Sequence, residues 1–412
     1  MDKPKIAIIG AGVSGLVAGI NLKNAGYNFD IFDAADRVGG RVKTDYREGF
    51  KFDHGFQVLL TAYPAAKKYL DFDLLDLKYF KPGAKIFKNG KPQSIGDPLR
   101  DLSLLIPTII SNIGSLSDKL KILKLRTHLQ NQSFDSIFRK DEVTTLEYLK
   151  EFGFSDQVIH DFFKPFFTGI FLETELKTSS RKFEFVYKMF TEGYATIPKK
   201  GIQAISNQLA AKLDKSNFHF NTAIENVNNQ TIRFTDGKTS TYDYVIIATE
   251  ASQLISNLNN QEIEWKSVEN LYFKTTSNLS PSLINLIADD QALINNFHTE
   301  HQNNQPIISV SIVKEHDFTK EQLIEHVKQE LKDLCHIEVF ECIKYFSIKK
   351  ALPIMASVNY MLPKSETQLK DHIFLAGDHL ANGSLNAAML NGESAAQAVI
   401  EKIENGIINI EG

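Results

Sequence analysis

The sequence predicts an α/β fold in which a Rossmann-like dinucleotide-binding domain is interleaved with a second, α+β domain. A short apolar strand, a glycine-rich turn and a helix occupy Lys5–Ala25. Two later segments, Tyr244–Ala248 and Ile373–Ala376, have the short apolar character of buried parallel strands. Because the stretches between them differ in pattern, we expect the first domain to be assembled from both ends and the middle of the chain.

Domain boundaries follow from this arrangement. We place the dinucleotide-binding domain at residues 1–62, 191–255 and 365–412, and the substrate-binding domain at residues 63–190 and 256–364. A chain of 412 residues is long enough for two or three domains of roughly 150 residues each. Ligands of open α/β sheets bind outside the carboxyl ends of the strands, so we expect the second domain to lie over that edge.

Composition and charge exclude several classes of protein. Hydrophobic residues make up 43% of the chain and charged residues 23%, which excludes wholesale disorder and a multi-span membrane protein. The formal net charge of −4 provides no broad basic surface for nucleic acid. Two cysteines, Cys335 and Cys342, are too few for a disulfide framework or a thiolate zinc cluster, which favours a reducing cytoplasm.

The N-terminal segment predicts a β-α-β unit. A strand at Lys5–Ile9 leads into a turn and a helix that Gly26 stops, so these residues are interpreted as folded structure rather than a signal peptide. A second strand follows at Asn28–Asp33.

Later segments are more varied, and none is apolar for long enough to predict a transmembrane helix. The predicted elements are a hairpin at Lys85–Ser94, helical structure at Asp97–Gln132, strands at Val310–Val313 and Pro353–Leu362, loops at Asn257–Asn260 and Asn295–Asn304, and a helix at Asn386–Ile403.

The turn between the first strand and helix, GAGVSG at Gly10–Gly15, has the spacing of a dinucleotide-binding turn. Its first glycine makes the tight turn, its second lets backbone approach a pyrophosphate, and its third permits close packing of helix on strand. The N-terminus of the helix suits phosphate through its free N–H groups and dipole. Asp33, which ends the next strand, can accept hydrogen bonds from ribose hydroxyls.

A second glycine-rich turn narrows the choice of dinucleotide cofactor. DAADRVGGR places Arg37, Gly39, Gly40 and Arg41 where they can approach the same dinucleotide, an extension that simple NAD-binding domains lack. With both turns, the sequence resembles the flavin-containing amine oxidase superfamily, which also holds phytoene desaturases and protoporphyrinogen oxidases. The resemblance implies an FAD site, and the absence of cysteine near the C-terminal helix predicts that the FAD is bound non-covalently. The sequence departs from the pattern at Asp33, where most members have glutamate.

The resemblance extends to three further segments. Gly377 and Asp378 match a Gly-Asp pair whose acidic residue binds the ribityl chain, and the helix that follows begins beneath the flavin pyrimidine. Phe52–Leu59 matches a segment that passes beside the isoalloxazine ring, and Ile224 falls where backbone meets adenine. The predicted cofactor-binding residues are Gly10, Gly12, Val13, Ser14, Gly15, Asp33, Ala34, Arg37, Gly39, Gly40, Arg41, Gly55, Phe56, Gln57, Val58, Ile224, Gly377, Asp378, Asn386, Ala387 and Ala388.

Substrate choice must lie in the intervening segments, which resemble the desaturase and protoporphyrinogen oxidase branch more than the monoamine oxidases. The phenylalanines between Phe162 and Phe190 either line an apolar pocket or pack in a core. We assign no catalytic residue. His54 could relay a proton or attach the cofactor covalently, but we favour a side chain that is hydrogen-bonded beneath the flavin ring. His298 and His301 flank Glu300 at metal-like spacing, but we expect a solvated loop there and predict no metal site.

These observations predict an FAD-dependent oxidoreductase that takes a hydride to flavin N5 from a small apolar or amine substrate. One alternative is a redox-neutral flavin mutase or isomerase resembling UDP-galactopyranose mutase, whose diphosphate pocket could use Arg181, Lys182 and Lys188. A flavin-binding protein without catalysis is another.

The helical stretch Asp97–Gln132 combines apolar residues with flanking cations. This pattern predicts either a peripheral membrane contact through which a lipophilic substrate enters or a lid helix packed on the core. We expect a cytoplasmic protein with a possible contact of this kind.

Overall fold

The computed structural model describes residues 3–258, 261–277 and 280–408. The strands are β1 (Ile6–Ile9), β2 (Phe29–Phe32), β3 (Thr44–Arg47), β4 (Phe50–Asp53), β5 (Leu59–Leu60), β6 (Leu77–Tyr79), β7 (Gly83–Lys88), β8 (Lys91–Gly96), β9 (Ala195–Pro198), β10 (Phe218–His219), β11 (Ile224–Asn228), β12 (Thr231–Phe234), β13 (Thr239–Thr241), β14 (Tyr244–Ile247), β15 (Trp265–Thr275), β16 (Ile284–Ile287), β17 (Ile294–Gln302), β18 (Gln305–Ile312), β19 (Val339–Pro353), β20 (Gln368–Lys370) and β21 (Ile373–Leu375). The helices are α1 (Val13–Asn24), α2 (Pro64–Tyr69), α3 (Leu105–Ile110), α4 (Leu116–Gln130), α5 (Phe134–Phe138), α6 (Thr145–Glu151), α7 (Asp156–Val158), α8 (Lys164–Phe171), α9 (Ser180–Glu192), α10 (Gln203–Ala210), α11 (Lys320–Cys335), α12 (Lys364–Thr367) and α13 (Leu385–Asn405).

The first sheet has six strands in the order β10-β2-β1-β14-β21-β20. β1 pairs in parallel with β2 and β14, so that Ile6 lies opposite both Phe29 and Tyr244. β21 continues the parallel sheet beside β14. Both faces are covered, which is why the central strands are uniformly apolar and buried. The sheet confirms the Rossmann-like half of the predicted fold.

The second sheet has seven strands in the order β19-β15-β18-β17-β16-β7-β8. All neighbours are antiparallel except β16 and β7. Helix α11 buries Leu323, Val327 and Leu331 against this sheet. Together with the helices between β8 and β9, these elements confirm an α+β half. The residue boundaries of the two domains remain a prediction.

Two element predictions were wrong. Residues 295–302 were expected in a loop but belong to β17, which pairs with β18, and the Asn295 side chain finds a partner inside the fold by donating to Pro165 O at 3.2 Å. Pro353–Leu362 was expected to be a strand, but β19 ends at Pro353. Beyond it, the N–H groups of Val358 and Leu362 donate to side chains instead of a strand.

Other segments follow the predicted pattern more closely. In the expected loop at Asn257–Asn260, residues 256–258 form a 3-10 turn, and residues 259 and 260 lie outside the described residues. Asp97–Gln132 is helical but interrupted between α3 and α4, where Ser115 and Asp118 form a capping box. Within the described ranges, no helix is long and apolar enough to cross a membrane.

Candidate cofactor and substrate site

A cavity of about 590 Å³ lies at the carboxyl edge of the parallel sheet. Residues just beyond four of its strands line this cavity: Gly10 after β1, Asp33 after β2, Ala248 after β14 and Gly377 after β21. Val13 and Ser14, in the first turn of α1, line it as well. The helix therefore directs the positive end of its dipole into the cavity, as a bound phosphate requires.

The three glycines of the first turn have different roles. Gly10 has φ of +109°, and a Cβ on it would lie 3.0 Å from Ala248 O. A Cβ on Gly15 would lie 1.9 Å from Gly10 O, so this residue lets α1 pack on β1. A Cβ on Gly12 would meet only Gly40 Cα, at 3.9 Å, and would extend into the cavity. The fold needs the first and third glycines, whereas a cavity ligand needs the second.

Backbone N–H groups hold the Asp33 carboxylate at the cavity edge. Ala11 N donates to Oδ2 at 2.7 Å and Ala35 N to Oδ1 at 2.8 Å. Each carboxylate oxygen can accept a second hydrogen bond. Although Asp33 is shorter than the glutamate that most family members have here, its carboxylate is thus positioned to accept a hydrogen bond from a ribose hydroxyl.

The second glycine turn packs against the first. Gly39 N donates to Ala11 O at 3.0 Å, and a Cβ on Gly40 would lie 3.3 Å from Gly12 Cα. Arg37 lies outside the cavity lining, because its guanidinium donates to Asp45 at 2.8 Å. Arg37 therefore stabilises the turn from the side that faces away from the cavity.

Arg41 connects this turn to the C-terminal segment. Its Nη2 donates to Asp378 Oδ1. Burial opposes ionisation of Asp378, but the Arg41 guanidinium holds the pKa of this carboxyl below its usual value. Arg41 also lies over the Trp265 ring, 4.9 Å from its centroid.

The closing helix α13 packs directly on α1. A Cβ on Gly392 would lie 2.2 Å from Ser14 O, so the two backbones approach closely. Ser384 caps the helix by accepting from Ala387 N at 3.1 Å. Ala388 lines the cavity, whereas the Asn386 side chain turns away and accepts from Ala65 N.

The segment predicted to pass the flavin ring lines the cavity at Gly55–Val58. The Gln57 side chain donates to Arg41 O and His54 O, both at 2.9 Å, and so fastens this segment to the second glycine turn. His54 also faces the cavity, and its Nε2 lies 3.1 Å from Asp45 Oδ1. This contact is a close approach rather than a hydrogen bond, because Nε2 has no hydrogen-bond partner among the described residues.

Most of the predicted cofactor residues share this one cavity. Those that line it are Gly10, Gly12, Val13, Ser14, Asp33, Gly39, Gly40, Arg41, Gly55, Phe56, Gln57, Val58, Gly377, Asp378 and Ala388. Those that do not are Gly15, Ala34, Arg37, Ile224, Asn386 and Ala387. Ile224 begins β11 and packs in a separate apolar cluster. Direct contact of each residue with the cofactor remains a prediction.

The sequence analysis named Lys182 for a diphosphate pocket and Phe190 for an apolar pocket or core, but it did not place them together on one wall of the cavity. Helix α9 contributes Lys182, Val186 and Phe190, spaced four residues apart on one face. That spacing was the available signal. Of the phenylalanines between 162 and 190, Phe166 and Phe190 line the cavity, whereas the fully buried members form core: Phe163, Phe167, Phe171, Phe183 and Phe185.

The expectation of a solvated His298 was wrong. This side chain is buried in β17, and its ring stacks on that of Phe56 at 4.4 Å. Burial lowers the pKa of His298 to about 3. His301 points to the opposite face of the strand and is exposed, because side chains three positions apart alternate. Within the described residues, no group of three or more potential ligands could hold a metal.

A parallel sheet whose two glycine turns and closing helix meet at one cavity defines a dinucleotide-binding flavoprotein. The chain matches the flavin containing amine oxidoreductase family over residues 13–400 and belongs to it. Membership confirms the resemblance, the class of FAD-dependent oxidoreductase and the FAD cofactor.

Individual relatives give further comparisons. Protoporphyrinogen oxidase 2 from Arabidopsis thaliana is 29% identical over 172 residues, which cover 40% of this chain and 32% of that protein. The match therefore spans about a third of that relative's length.

Solved structures match over nearly the whole chain. A redesigned putrescine oxidase has a TM-score of 0.71 at 15% identity, covering 97% of this chain and 99% of that one. A CLA-producing fatty acid isomerase from P. acnes has a TM-score of 0.72 at 17% identity, covering 96% and 98%. At these identities the similarity shows the fold alone.

The residues at the cavity fit FAD. Gly12 leaves the space that a pyrophosphate needs, Asp33 offers a carboxylate to ribose, and α1 directs its N-terminus at the phosphates. Cys335 and Cys342 lie in α11 and β19, and neither lines the cavity. We therefore expect FAD to be held non-covalently.

Gly12→Val should fold but bind FAD at least about tenfold more weakly, because the side chain fills ligand space without touching protein. Gly15→Val is the matched control and should destabilise the apoprotein by about 3 kcal/mol or more, because it forces α1 off β1. Fluorescence titration of the apoproteins with FAD and urea unfolding measure the two effects. Wild-type FAD affinity in Gly12→Val would reject the assignment of this turn.

Acid precipitation should release intact FAD into the supernatant, since neither cysteine lies on the cavity. Absorbance and chromatography of the supernatant measure the released flavin. Flavin that stays in the pellet would contradict non-covalent binding and point to His54, which faces the cavity.

Proposed function

We propose that the protein takes a hydride from an apolar small molecule held between α8, α9 and the second sheet. The observation that carries this proposal is one continuous cavity, which joins the predicted cofactor residues to an apolar wall. That wall is formed by Leu60, Phe166, Ile170, Leu172, Val186, Phe190, Ile284 and Leu286. FAD supplies the hydride acceptor when bound.

The chain's own residues position the substrate and exclude water. The apolar wall removes bulk solvent from the reacting centre, and Gly55, with φ of +83°, lets backbone approach it without a side chain. The N-terminus of α13 provides partial positive charge where negative charge develops on reduction. Positioning and polarisation are thus the contributions of the protein.

Charge on the cavity wall favours an apolar substrate over an amine. Among the described residues, three carboxylates line the cavity and each has a partner: Asp33 accepts from backbone, Glu250 from Lys350 at 2.6 Å, and Asp378 from Arg41. The substrate end adds a lysine, Lys182. A substrate ammonium there would face a cation without a free carboxylate, which is unfavourable.

The mutase alternative needs a cluster of cations, and the candidate residues do not form one. The Arg181 guanidinium donates to Glu142 at 2.8 Å, and Lys188 donates to the carbonyls of Leu129 and Gln130. Neither side chain lines the cavity. The remaining cation, Lys182, is insufficient for a diphosphate, so we favour the oxidoreductase.

Anaerobic mixing should bleach the flavin band with lipophilic donors such as polyenes or porphyrinogens, and should leave it unchanged with polyamines. The reason is the apolar, cationic substrate end of the cavity. Stopped-flow absorbance near 450 nm, a rough chromophore value, measures the reduction. Bleaching by polyamines alone would contradict the proposal, and conversion that needs prior flavin reduction without net electron consumption would favour an isomerase.

We also propose a peripheral membrane contact beside the substrate end. An apolar patch of side chains, each more than half exposed, consists of Leu99, Leu102, Ile106, Ile109, Ile110, Leu116 and Leu120. Arg100 fixes this patch to the cavity wall by donating to the carbonyls of Phe190 and Gly193, both at 2.6 Å. Exposure of these side chains favours a membrane contact over a lid packed on the core.

The nearby cations already have partners, so we expect apolar insertion to dominate. Arg126 pairs with Asp97 at 3.2 Å, and Lys119 donates to Ser111 O at 2.7 Å. The protein should co-float with phosphatidylcholine vesicles containing phosphatidylglycerol and stay bound at high salt.

Ile106→Ser with Ile110→Ser should abolish this flotation, whereas Phe340→Ser, which alters an exposed apolar side chain on β19, should not. Absence of flotation for the wild type at low salt would reject the contact.

A further inference from the structure

Lys182 is a buried lysine that faces the cavity. The residue is 5% exposed, and its Nζ would lie 3.4 Å from a Cβ placed on Gly383, beside the residue that caps α13. The Phe171 ring lies 5.6 Å from this ammonium. Among the described residues, no oxygen accepts a hydrogen bond from Lys182 Nζ.

Other lysines of the same region are satisfied. Lys188 on the same helix donates to two backbone carbonyls and to Glu192 at 2.6 Å. Lys266 donates to Phe171 O at 3.0 Å. A buried ammonium without an acceptor is costly, so Lys182 either loses its proton or pairs with an acceptor that enters the cavity.

The charged groups around Lys182 do not supply that acceptor. Asp378 is paired with Arg41, and the Glu173 carboxylate accepts from the backbone N–H groups of Lys177 and Thr178. Burial lowers the pKa of Lys182 to about 7, and Lys266 adds to the effect, while Asp378 and Glu173 oppose it. An arriving anion would favour the protonated form and raise this pKa.

The residues beside Lys182 indicate the kind of molecule that would carry this anion. Lys182, Val186 and Phe190 lie on one face of α9 and span about 12 Å at 1.5 Å per residue. From α8, Phe166 and Ile170 line the same cavity. The second sheet adds the polar side chains of Asn296 and Ser311 to this wall. Among the described residues of this wall, Lys182 is thus the cation at one end of a largely apolar channel.

We propose that Lys182 binds the carboxylate of a substrate whose apolar chain lies along α9 towards Phe190. This inference rests on the proposed function, since it names the substrate class of the same cavity. A lone ammonium suits a carboxylate, and the channel gives it an apolar chain. The second possible source of the anion is the flavin itself, and the experiment separates the two.

The experiment titrates the holoenzyme with dodecanoate, dodecanol and dodecylamine and follows the perturbation of the flavin spectrum. Dodecanoate should bind the wild type, and Lys182→Met should weaken it about tenfold or more, because a charge-assisted hydrogen bond is lost. Lys182→Arg should retain most of the affinity. Dodecanol should bind the wild type and Lys182→Met equally, and Lys164→Met, which alters a lysine of α8 outside this cavity, should behave as the wild type.

Two further readouts distinguish recognition from a structural role. Dodecanoate affinity of the wild type should fall as pH rises above about 7, the pKa of Lys182, because only the ammonium binds the anion; Lys182→Met should lack this dependence. Lys182→Met should melt no lower than the wild type, because it removes an unpaired buried charge. A lower melting temperature with unchanged dodecanoate binding would overturn the inference.

The remaining outcomes separate this inference from the proposed function. Equal dodecanoate affinity in the wild type and Lys182→Met, with dodecanol still bound, would reject the role of Lys182 and leave the apolar channel standing. A loss of sulfite affinity of the flavin in Lys182→Met, with dodecanoate unaffected, would assign the ammonium to the flavin and also reject it. Failure of all three probes to bind the wild type would reject both the role of Lys182 and the proposed function.

Discussion

The ion pair between Arg41 and Asp378 joins the two ends of the chain at the cavity, and the rest of the site depends on it. The two residues are 337 positions apart in sequence. Arg41 ends the second glycine turn, which packs on the first, and Asp378 follows β21 and precedes the closing helix. Because Asp378 is buried, its carboxylate needs this partner. The close approach of Gly392 to Ser14 O holds α13 against α1 beside the same cavity.

This arrangement divides one cavity into two chemically different ends. At the cofactor end, glycines give backbone access and each lining carboxylate already has a partner, so the end is ready for an anionic dinucleotide. At the substrate end, the described residues of α8, α9 and the second sheet supply mainly apolar side chains, together with Asn296, Ser311 and the amine of Lys182. The cofactor end determines the class of reaction, and the substrate end determines the class of substrate. Because the two ends can vary separately, one fold can serve several reactions.

Local patterns were sufficient to predict the parallel sheet and the first glycine turn, because a strand, a turn and a helix in sequence leave few alternatives. Local patterns gave wrong predictions where contacts between residues distant in sequence determine the structure. Asn295 looked like a loop residue, yet Pro165 O satisfies its amide inside a strand. The sequence suggested Lys182 only for a diphosphate, whereas the fold brings its Nζ beside Gly383, a proximity that no short motif encodes. Arg37 belonged to the family motif but pairs with Asp45 behind the turn.

A double-mutant cycle on the ion pair tests most directly whether it closes the FAD site. The apoproteins of the wild type, Arg41→Met, Asp378→Asn and the double variant are titrated calorimetrically with FAD, and urea unfolding of each separates folding from binding. Each single variant should lose FAD affinity, and the double variant should lose less than the sum, with a coupling of about 0.5–3 kcal/mol. Wild-type affinity in both single variants, or strictly additive losses, would contradict the dependence of the site on this pair.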